Sequence, residues 1–499
     1  MANSNANTPG NISYNGILKY IGIFGSVQLL QILMSVVRNK CAALLVGRIG
    51  MGFSDILNRT TDMFSALSNL GISTSGVKEV ASGQASGNAR QIETTISAVR
   101  IWSLATGLVG TLLCTLLGET INTLFFNRNL PCGFIAAVSP VVGFMAIYGG
   151  EAAVLKGTRN LKRLATATAS GSALSLAATI AFYALLGING IPLALLTGAA
   201  FLATAALIAT RKVFPWKASV FTRSSIAAGR ALLTIGISYT AAGLAGTGAE
   251  MLVRAFIARG SMADVGLYAA GFVICVTYAR LVFVAMDADY FPRLAATGNN
   301  ISERNITVSK QIDVCTMLMG PVLIGQLLLL PLIINILYTP EFKEATAMCI
   351  TATGYLFVKA IIAPIEYIPL ARGDSKTYFF MELAYDAIFT AAVAVGYRLY
   401  GVAGAGAALT FSYIADLAMV VSVYRYKYGL RINNSTATAT AIQAVMVAVA
   451  TAVFATGYET PQYAAGAIVL GLSAAFSLRK LKLTPNKIWH ILKKRLQKS

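Results

Sequence analysis

Long apolar stretches separated by short polar segments run through nearly the whole chain. A helix needs about 20 apolar residues to cross a bilayer, and by this measure the pattern predicts about fourteen spans. The predicted spans are residues 17–40, 54–76, 95–117, 132–155, 164–186, 190–210, 232–257, 264–290, 313–337, 345–369, 376–398, 402–425, 436–457 and 463–481. Residues 54–76 are unusually polar for a helix that faces lipid, so this segment either is buried among other helices or is not a span.

The second half of the chain repeats short segments of the first half in the same order, at a nearly constant offset of roughly 215 residues. The matched pairs are Ile121–Phe126 with Ile334–Thr339, Val77–Gly83 with Pro292–Gly298, Leu155–Asn160 with Ala371–Lys376, and Gly187–Leu195 with Gly401–Leu409. The repeat favours burial of residues 54–76. It predicts an all-α polytopic membrane protein with two pseudo-symmetric six-helix bundles of the same orientation and two additional C-terminal helices. Parallel repeats of this kind are typical of transporters.

The composition supports a membrane protein. Of the 499 residues, 56% are hydrophobic and 12% are charged, and the mean hydropathy is +0.67, whereas soluble domains carry about 25% charged residues. A net charge of +20 would suggest a nucleic-acid partner in a soluble protein. Here the charges lie at the ends of apolar runs, so they indicate topology signals beside an anionic leaflet, and no nucleic-acid partner is expected.

The distribution of Lys and Arg predicts the topology and the domains. If the N-terminus lies inside, most of the 40 basic residues fall in cytoplasmic segments, so both termini are predicted to be cytoplasmic. Residues 1–16 are polar and uncharged, without the basic region of a cleavable signal peptide. The predicted domains are a six-helix lobe at 1–211, a second six-helix lobe at 212–431, and two extra helices with a basic cytoplasmic tail at 432–499.

Motifs for common enzyme chemistry are absent from the sequence. His490 is the only histidine, and the six cysteines form no CxxC pair, so no metal ligands are predicted. The chain has no GxxxxGK[ST], GxSxG, HExxH or GxGxxG motif, which argues against an ATPase domain, a catalytic nucleophile and a dinucleotide cofactor. The remaining sources of energy for transport are an ion gradient, the membrane potential or the substrate's own gradient.

Two predicted spans carry a cation near the middle and a carboxylate seven residues later. These are Arg280 with Asp287 and Lys359 with Glu366. Seven residues are close to two helical turns, so both members of each pair share a face. Two interpretations are open: a wet cavity that holds anionic substrate groups, with the carboxylates as gates or proton carriers, or two structural ion pairs within the bundle.

A second group of charges lies in the outer third of the predicted spans. Arg38 ends the first span, Arg59 and Asp62 lie in the second, and Glu250 and Arg254 lie in the seventh. The last two pairs have the spacing of ion pairs within a helix. Their clustering on repeat-related spans favours an arginine-rimmed cleft, which suits phosphate. Other acids within predicted spans receive less weight: Glu151, expected at a helix end near Lys156, and Asp386 and Asp416.

Several turn motifs resemble those of a known family. They are Asp289–Leu294 (DYFPRL), Leu337–Phe342 (LYTPEF) and Ala371–Lys376 (ARGDSK), with Leu155–Arg159 (LKGTR) as the first-half counterpart of the last. With these motifs the chain resembles the Wzx-type polysaccharide-lipid flippases of the MOP exporter superfamily, especially O-antigen translocases, over its first twelve predicted spans. Drug-exporting MATE members usually have twelve spans, and fourteen is more similar to flippases, including the MurJ type.

The resemblance implies alternating access between two lobes, with a cationic central cavity for the diphosphate and the glycan. The implied substrate is an undecaprenyl-diphosphate-linked oligosaccharide of the O-antigen or capsule type, moved from the inner to the outer leaflet of a bacterial cytoplasmic membrane. Its partners would then be this lipid-linked oligosaccharide and membrane lipids. No cofactor is implied, although coupling to a proton or sodium gradient is frequent in the family. An ion-coupled MATE-type drug antiporter, with a carboxylate-rich cavity, is the alternative. A membrane glycan polymerase fits less well because the chain has no large outer loop.

The roles expected under this resemblance match the family by residue type and depth only. The expected substrate contacts are Arg38, Arg59 and Arg254 in the outer cavity, and Arg280 and Lys359 at mid-membrane depth. The expected gating or coupling carboxylates are Asp62, Glu250, Asp287 and Glu366. No catalytic and no metal-binding residue is expected.

Overall fold

The computed structural model describes residues 14–86, 88–216, 223–277, 283 and 290–481. Almost all of these residues are helical, and none of them is in a strand. The helices are α1 Tyr14–Leu45, α2 Gly47–Asn69, α3 Ile72–Ala85, α4 Ala89–Phe126, α5 Phe134–Val138, α6 Pro140–Gly157, α7 Leu161–Leu186, α8 Ile191–Arg211, α9 Arg223–Gly260, α10 Met262–Phe272, α11 Ile301–Leu337, α12 Ala345–Thr351, α13 Thr353–Ala371, α14 Ser375–Tyr428, α15 Asn434–Ala455 and α16 Thr460–Lys480.

Within the described residues, eight helical stretches are long and apolar enough to cross a membrane. Two of them, Leu161–Arg211 and Ser375–Tyr428, each contain a break between two helical segments. The chain is therefore an all-α, multi-pass membrane protein, as the hydrophobic pattern predicted. The count of fourteen spans stays a prediction.

The two breaks lie at matched positions of the internal repeat. Gly187 has φ 55° and ψ −132°, and Gly401 has φ 59° and ψ −144°. This backbone conformation is accessible to glycine and strained for other residues. The same local geometry at both matched glycines supports the internal repeat that was inferred from sequence.

The predicted span at 54–76 is not one continuous helix. Helix α2 ends at Asn69, because Leu70 and Gly71 both adopt left-handed conformations, with φ values of 46° and 68°. The chain then resumes as α3. Leu57 and Phe64 of α2 are almost completely buried, which agrees with the prediction that this polar segment is enclosed by protein.

The chain divides into two compact units, of which the first is Met1–Val46, Leu57–Leu124 and Leu130–Leu244. In this unit, α7 packs along α8 and α1, and α6 packs against α3 and α8. Its core includes Ile72 and Val80 from α3, Ile96 and Val99 from α4, and Val154 from α6. The domain boundaries at 211 and 431 stay a prediction.

A buried ion pair lies inside the first unit. Arg100 of α4 binds Glu151 of α6 through two hydrogen bonds, Nε to Oε1 at 2.8 Å and Nη2 to Oε2 at 3.0 Å. The side chains are 3% and 2% exposed. Arg100 also donates to the Phe214 carbonyl oxygen at 2.9 Å, and the Trp216 indole donates to Glu151 at 3.1 Å. These contacts hold the segment that follows α8 against α4 and α6. Glu151 was expected at a helix end near Lys156. In the structure its ion-pair partner is instead Arg100.

The second unit is Gly47–Ile56, Phe125–Asn129 and Ala245–Ser499. In this unit α13 packs between α11 and α14, and α12 packs on α14. Helix α10 continues into a π-helical turn at Val273–Thr277. The start of α2 lies directly on α10: a Cβ on Gly266 would be 2.0 Å from the Arg48 carbonyl oxygen. Only glycine permits that approach of two helix backbones.

Helices α15 and α16 pack against α11 through a buried polar network. The Gln443 amide, which is completely buried, donates to Ser477 Oγ at 2.6 Å and to the Ser473 carbonyl oxygen at 3.2 Å. Ser473 Oγ donates back to Gln443 Oε1 at 2.8 Å. Gly320 of α11 lies against the same amide. A Cβ atom on Gly320 would be only 2.6 Å from Gln443 Oε1. Hydrogen bonds between helices in an apolar environment fix their register.

Candidate functional site

The second unit contains a cavity of about 430 Å³ between α9, α10, α13 and α14. One face of α13 supplies Tyr355, Lys359, Ala363 and Glu366 to its wall. These positions are spaced by three or four residues, so Lys359 and Glu366 share a face, as their spacing predicted. The other described lining residues are Gly246, Glu250, Phe272, Val276, Phe283, Tyr367, Leu370, Tyr378, Glu382, Tyr385, Asp386, Phe389, Leu409 and Tyr413.

The charges in the described wall of this cavity are mostly negative. Glu250, Glu366, Glu382 and Asp386 face a single lysine, Lys359. The expected cationic central cavity stays a prediction, because Arg280 lies outside the described residues. Carboxylates that share an apolar enclosure repel each other, and a proton or a bound cation would offset that repulsion.

Aromatic rings surround the Lys359 ammonium group. It lies 5.7 Å from the ring centre of Tyr355, 5.8 Å from that of Tyr413 and 6.0 Å from that of Phe283. The Tyr355 hydroxyl accepts a hydrogen bond from Nζ at 3.4 Å. Rings at this distance stabilise an ammonium ion through cation–π attraction, so the lysine is held in a defined position. Tyr385 continues the aromatic wall, with its ring centre 4.9 Å from that of Tyr413.

The carboxylates continue beyond the main cavity. Glu366 and Glu382 also line a much smaller cavity of about 10 Å³, together with Asp416 of the second arm of α14. That volume is about the size of one water molecule. Asp416 is 3% exposed and Asp386 is 9% exposed, and both interact electrostatically with Glu382. Glu382, Asp386 and Asp416 thus form a row of acids on α14 that line these two cavities and can hold protons.

The DYFPRL motif anchors the helix that carries Lys359. Tyr290 is 1% exposed and donates its hydroxyl hydrogen to the Pro364 carbonyl oxygen at 2.6 Å. Its ring packs edge-on to Tyr367, with 6.1 Å between centres. The proline-containing middle of α13 is thereby fixed from outside the cavity.

The other two motifs also fix helix ends. Tyr338 of LYTPEF is completely buried and stacks on Phe342 at 5.0 Å. Asp374 of ARGDSK caps α14 by accepting from the Thr377 backbone at 3.1 Å. Hydrogen bonds from Lys427 and Tyr428 hold the pKa of the Asp374 carboxyl well below its usual range. The described residues of these three motifs therefore hold helices in place and do not line the cavity that contains Lys359.

The structure brings three of the predicted site residues together: Glu250, Lys359 and Glu366 all line the cavity. Arg254, one turn after Glu250, is 1% exposed and binds Asp55 at 2.5 Å. The predicted pair of Arg254 and Glu250 is also present at 3.8 Å. Arg254 thus lies among acids of its own unit, and its role as a substrate contact stays a prediction.

The remaining predicted site residues lie elsewhere. Arg38, Arg59 and Asp62 belong to the first unit. Arg59 and Asp62 form the predicted pair at 3.6 Å, and Arg38 is half-buried. Arg280 and Asp287 lie outside the described residues. Their roles stay predictions.

Sequence reasoning did not select Glu382 or the tyrosines of the cavity, and it gave Asp386, which also lines the cavity, less weight than Arg280 or Lys359. The signal was present on α14, where Tyr378, Glu382 and Asp386 recur every four residues. This spacing places the three side chains on one helix face. A polar stripe on an otherwise apolar span would have indicated that this face turns towards a cavity.

The fold is shared with solved structures of multi-pass membrane transporters. The structure is similar to the lipid II flippase MurJ in an inward closed conformation, with a TM-score of 0.66 and 13% identity over 93% of this chain and 99% of that one. It is also similar to an inward-facing multidrug resistance MATE family transporter, with a TM-score of 0.65 and 12% identity over 81% of this chain and 94% of that one.

A MOP superfamily transporter from Pyrococcus furiosus, described as having a binding pocket of reverse polarity, matches with a TM-score of 0.53 and 13% identity over 82% of this chain and 94% of that one. At such identities these likenesses concern the fold. None of the curated proteins compared matches the chain.

The chain belongs to the polysaccharide biosynthesis protein family, whose model matches residues 51–347. The resemblance to Wzx-type flippases of the MOP superfamily, which was inferred from the turn motifs, is confirmed. The family and the fold are those of transporters.

Proposed function

We propose that the protein is a flippase that moves an undecaprenyl-diphosphate-linked oligosaccharide from the inner to the outer leaflet of a bacterial cytoplasmic membrane by alternating access. The observation that carries the proposal is the family match combined with a charged, aromatic cavity inside a helical membrane unit. Aromatic rings and a few placed polar groups are the usual lining of a site for an uncharged or partly charged organic ligand. Both termini lie in the cytoplasm, and the chain has no catalytic role.

Lys359 is proposed to contact an anionic or hydroxyl-rich part of this substrate. Its position is fixed by aromatic rings and by the Tyr355 hydroxyl. The cavity beside it has a volume of about 430 Å³, which is much larger than one water molecule. The tyrosine hydroxyls and carboxylates of the wall can bind sugar hydroxyl groups, because each offers hydrogen-bond acceptors at the surface of the cavity.

Deleting the gene in its host is expected to stop surface polysaccharide export. The lipid-linked repeat unit should accumulate on the inner leaflet, because its headgroup is too polar to cross the bilayer unaided. The measurement is surface glycan by electrophoresis together with mass spectrometry of lipid-linked saccharides from membranes. Complementation with the wild-type gene is the control, and unchanged surface glycan in the deletion strain would rule out the proposal.

A cation-coupled multidrug antiporter is the second candidate, since the described cavity wall carries four carboxylates against one lysine. Such a wall suits cationic drugs. The same deletion strain separates the candidates: increased sensitivity to cationic dyes with normal surface glycan would favour the antiporter.

The row of acids on α14 is proposed to couple transport to a proton or sodium gradient. In vesicles that contain the purified protein, substrate movement should rise when such a gradient is imposed, because the cation offsets repulsion among the carboxylates. Glu382→Gln and Asp386→Asn should remove this dependence while slower gradient-independent movement persists. A wild-type rate that is indifferent to both gradients would contradict the coupling, while leaving the flippase proposal intact.

A further inference from the structure

Helix α13, which carries Lys359 and Glu366, is weakened between these two residues. Pro364 lies inside the helix. Because proline has no backbone N–H, the carbonyl group of Ala360, four residues earlier, loses its helical hydrogen bond. Helices bend most easily at such points. Lys359 therefore lies on one arm of α13 and Glu366 on the other, although both line the same cavity.

The arm before Pro364 is attached to the part of α14 that follows its break. The Tyr355 backbone N–H donates to Thr410 Oγ1 at 3.1 Å, and the Thr410 hydroxyl donates to the Thr351 carbonyl oxygen at 2.7 Å. A Cβ on Gly354 would be 2.5 Å from the Thr410 side chain. The first arm is thus held by direct contact with α14 and by hydrogen bonds to it.

The arm after Pro364 is attached to a different part of the chain, the DYFPRL segment. The Tyr290 hydroxyl donates to the Pro364 carbonyl oxygen at 2.6 Å, and Tyr290 is 1% exposed, so this bond is shielded from solvent. The Tyr290 ring lies edge-on to Tyr367 with 6.1 Å between centres, and Phe291 packs on the same ring at 5.7 Å. Since Tyr367 lines the cavity, the segment supports the cavity wall from behind.

The other contacts that join this arm to the DYFPRL segment are apolar. Ile365 and Ile368 share one buried cluster with Tyr290 and Leu294. Apolar packing stabilises the arm without fixing its direction, because the hydrophobic effect is non-directional. A hydrogen bond depends on the angles at its donor and acceptor. The bond from Tyr290 to Pro364 is therefore the contact that can set the angle of this arm.

We propose that Tyr290 is a positioning residue for the cavity wall. Its hydrogen bond to Pro364 sets the angle between the two arms of α13, and with it the placement of Glu366 relative to Lys359. Without the hydroxyl, the second arm pivots at the weakened turn, and the two charged side chains lose the arrangement that transport requires. The consequence for transport rests on the proposed function, whereas the change in the cavity does not.

The first test measures the cavity in the purified full-length protein in detergent. Ala363→Cys places a reporter thiol on the cavity wall, and Cys41 and Cys132, which are not buried, are replaced by serine. Tyr290→Phe keeps the ring and removes only the hydroxyl. It should raise the rate at which a water-soluble methanethiosulfonate labels the reporter about fivefold, since this factor corresponds to the loss of one hydrogen bond.

Tyr458→Phe is the matched control. The Tyr458 hydroxyl donates to the Leu327 carbonyl oxygen at 3.2 Å, the group that Pro331 deprives of its helical partner on α11. This change also removes a bond from a tyrosine to a proline-containing helix, yet none of these residues lines the cavity, so labelling should not change. Adding Pro364→Ala to Tyr290→Phe restores a backbone N–H at the weak point and should return labelling to near the wild-type rate.

Equal labelling with and without Tyr290→Phe would overturn the positioning role, and so would an equal rise in Tyr458→Phe. Failure of Pro364→Ala to restore labelling would overturn the weak point as the place where α13 pivots. These results concern the cavity alone, and they decide the role of Tyr290 even if the deletion strain exports normally and the flippase proposal fails.

Transport is the second measurement, as surface glycan in the complemented deletion strain, normalised to the amount of protein in the membrane. Tyr290→Phe should lower export about fivefold, in proportion to the change in the cavity, and Tyr458→Phe should not. Unchanged export by Tyr290→Phe, together with raised labelling, would overturn the consequence for transport.

Discussion

Replacing Lys359 by glutamine is expected to reduce export of the lipid-linked oligosaccharide by at least about thirtyfold. Removing one partner from a desolvated charge interaction costs roughly 2–5 kcal/mol, and the lower limit corresponds to that factor. Lys359 is the single cation in the described wall of the cavity, which also carries four carboxylates. The measurement is surface glycan in a complemented deletion strain, normalised to the amount of protein in the membrane.

The companion variants separate contact with substrate from neutralisation of acids. Lys359 interacts electrostatically with Glu382. If it serves only to balance that charge, Lys359→Gln combined with Glu382→Gln should restore export to the level of Glu382→Gln alone. If it contacts the substrate, the double variant should stay inactive, and Lys359→Arg should keep partial activity. Lys376→Gln is the control for the loss of a lysine elsewhere in the protein. Near-normal export by the Lys359→Gln variant would rule out a role for Lys359 in transport.

Replacing Arg100 by alanine is expected to lower the free energy of unfolding by about 3–5 kcal/mol. The change leaves the Glu151 carboxylate buried without its bidentate partner, and breaking a buried ion pair on one side is strongly destabilising for that reason. It also removes a donor to Phe214 and the cation that lies 4.8 Å from the ring centre of Trp216. Thermal and denaturant unfolding of the detergent-purified protein measure the loss.

Two controls make this result specific to the buried pair. Arg59→Ala breaks an ion pair of the same unit whose side chains are 27% and 54% exposed, and such a pair contributes only about 0–1 kcal/mol. Arg100→Leu combined with Glu151→Leu removes both charges and should recover most of the lost stability. If Arg100→Ala were no more destabilising than Arg59→Ala, the buried pair would not hold the first unit together as the structure indicates.

The sequence predicted those features that depend only on residues close together in the chain, such as glycine turns, helix faces and ion pairs within one helix. The repeat matched Gly187 with Gly401, and both have the same unusual backbone conformation, because that requirement is local to the turn. The face shared by Lys359 and Glu366 followed from helical periodicity alone. The ion pairs of Arg59 with Asp62 and of Glu250 with Arg254 followed from spacing within a helix.

Contacts between distant parts of the chain were not predictable in the same way. Glu151 was assigned to nearby Lys156, yet its partner is Arg100 on another helix. Arg254 binds Asp55, which is far away in sequence. Each of these choices depends on which helices pack together, and spacing along one helix contains no information about that.

By itself, the sequence determined the membrane class, the helical elements, the internal repeat and the family, since each of these follows from hydrophobicity, periodicity or short motifs. Tertiary structure alone decided the character of the site. It placed Glu250, Glu366, Glu382 and Asp386 in one cavity wall with Lys359, so the wall described in the second unit is acidic and aromatic. The physical reason is that helix packing selects which face of each helix turns inward, and the net charge of a cavity is the sum over those faces.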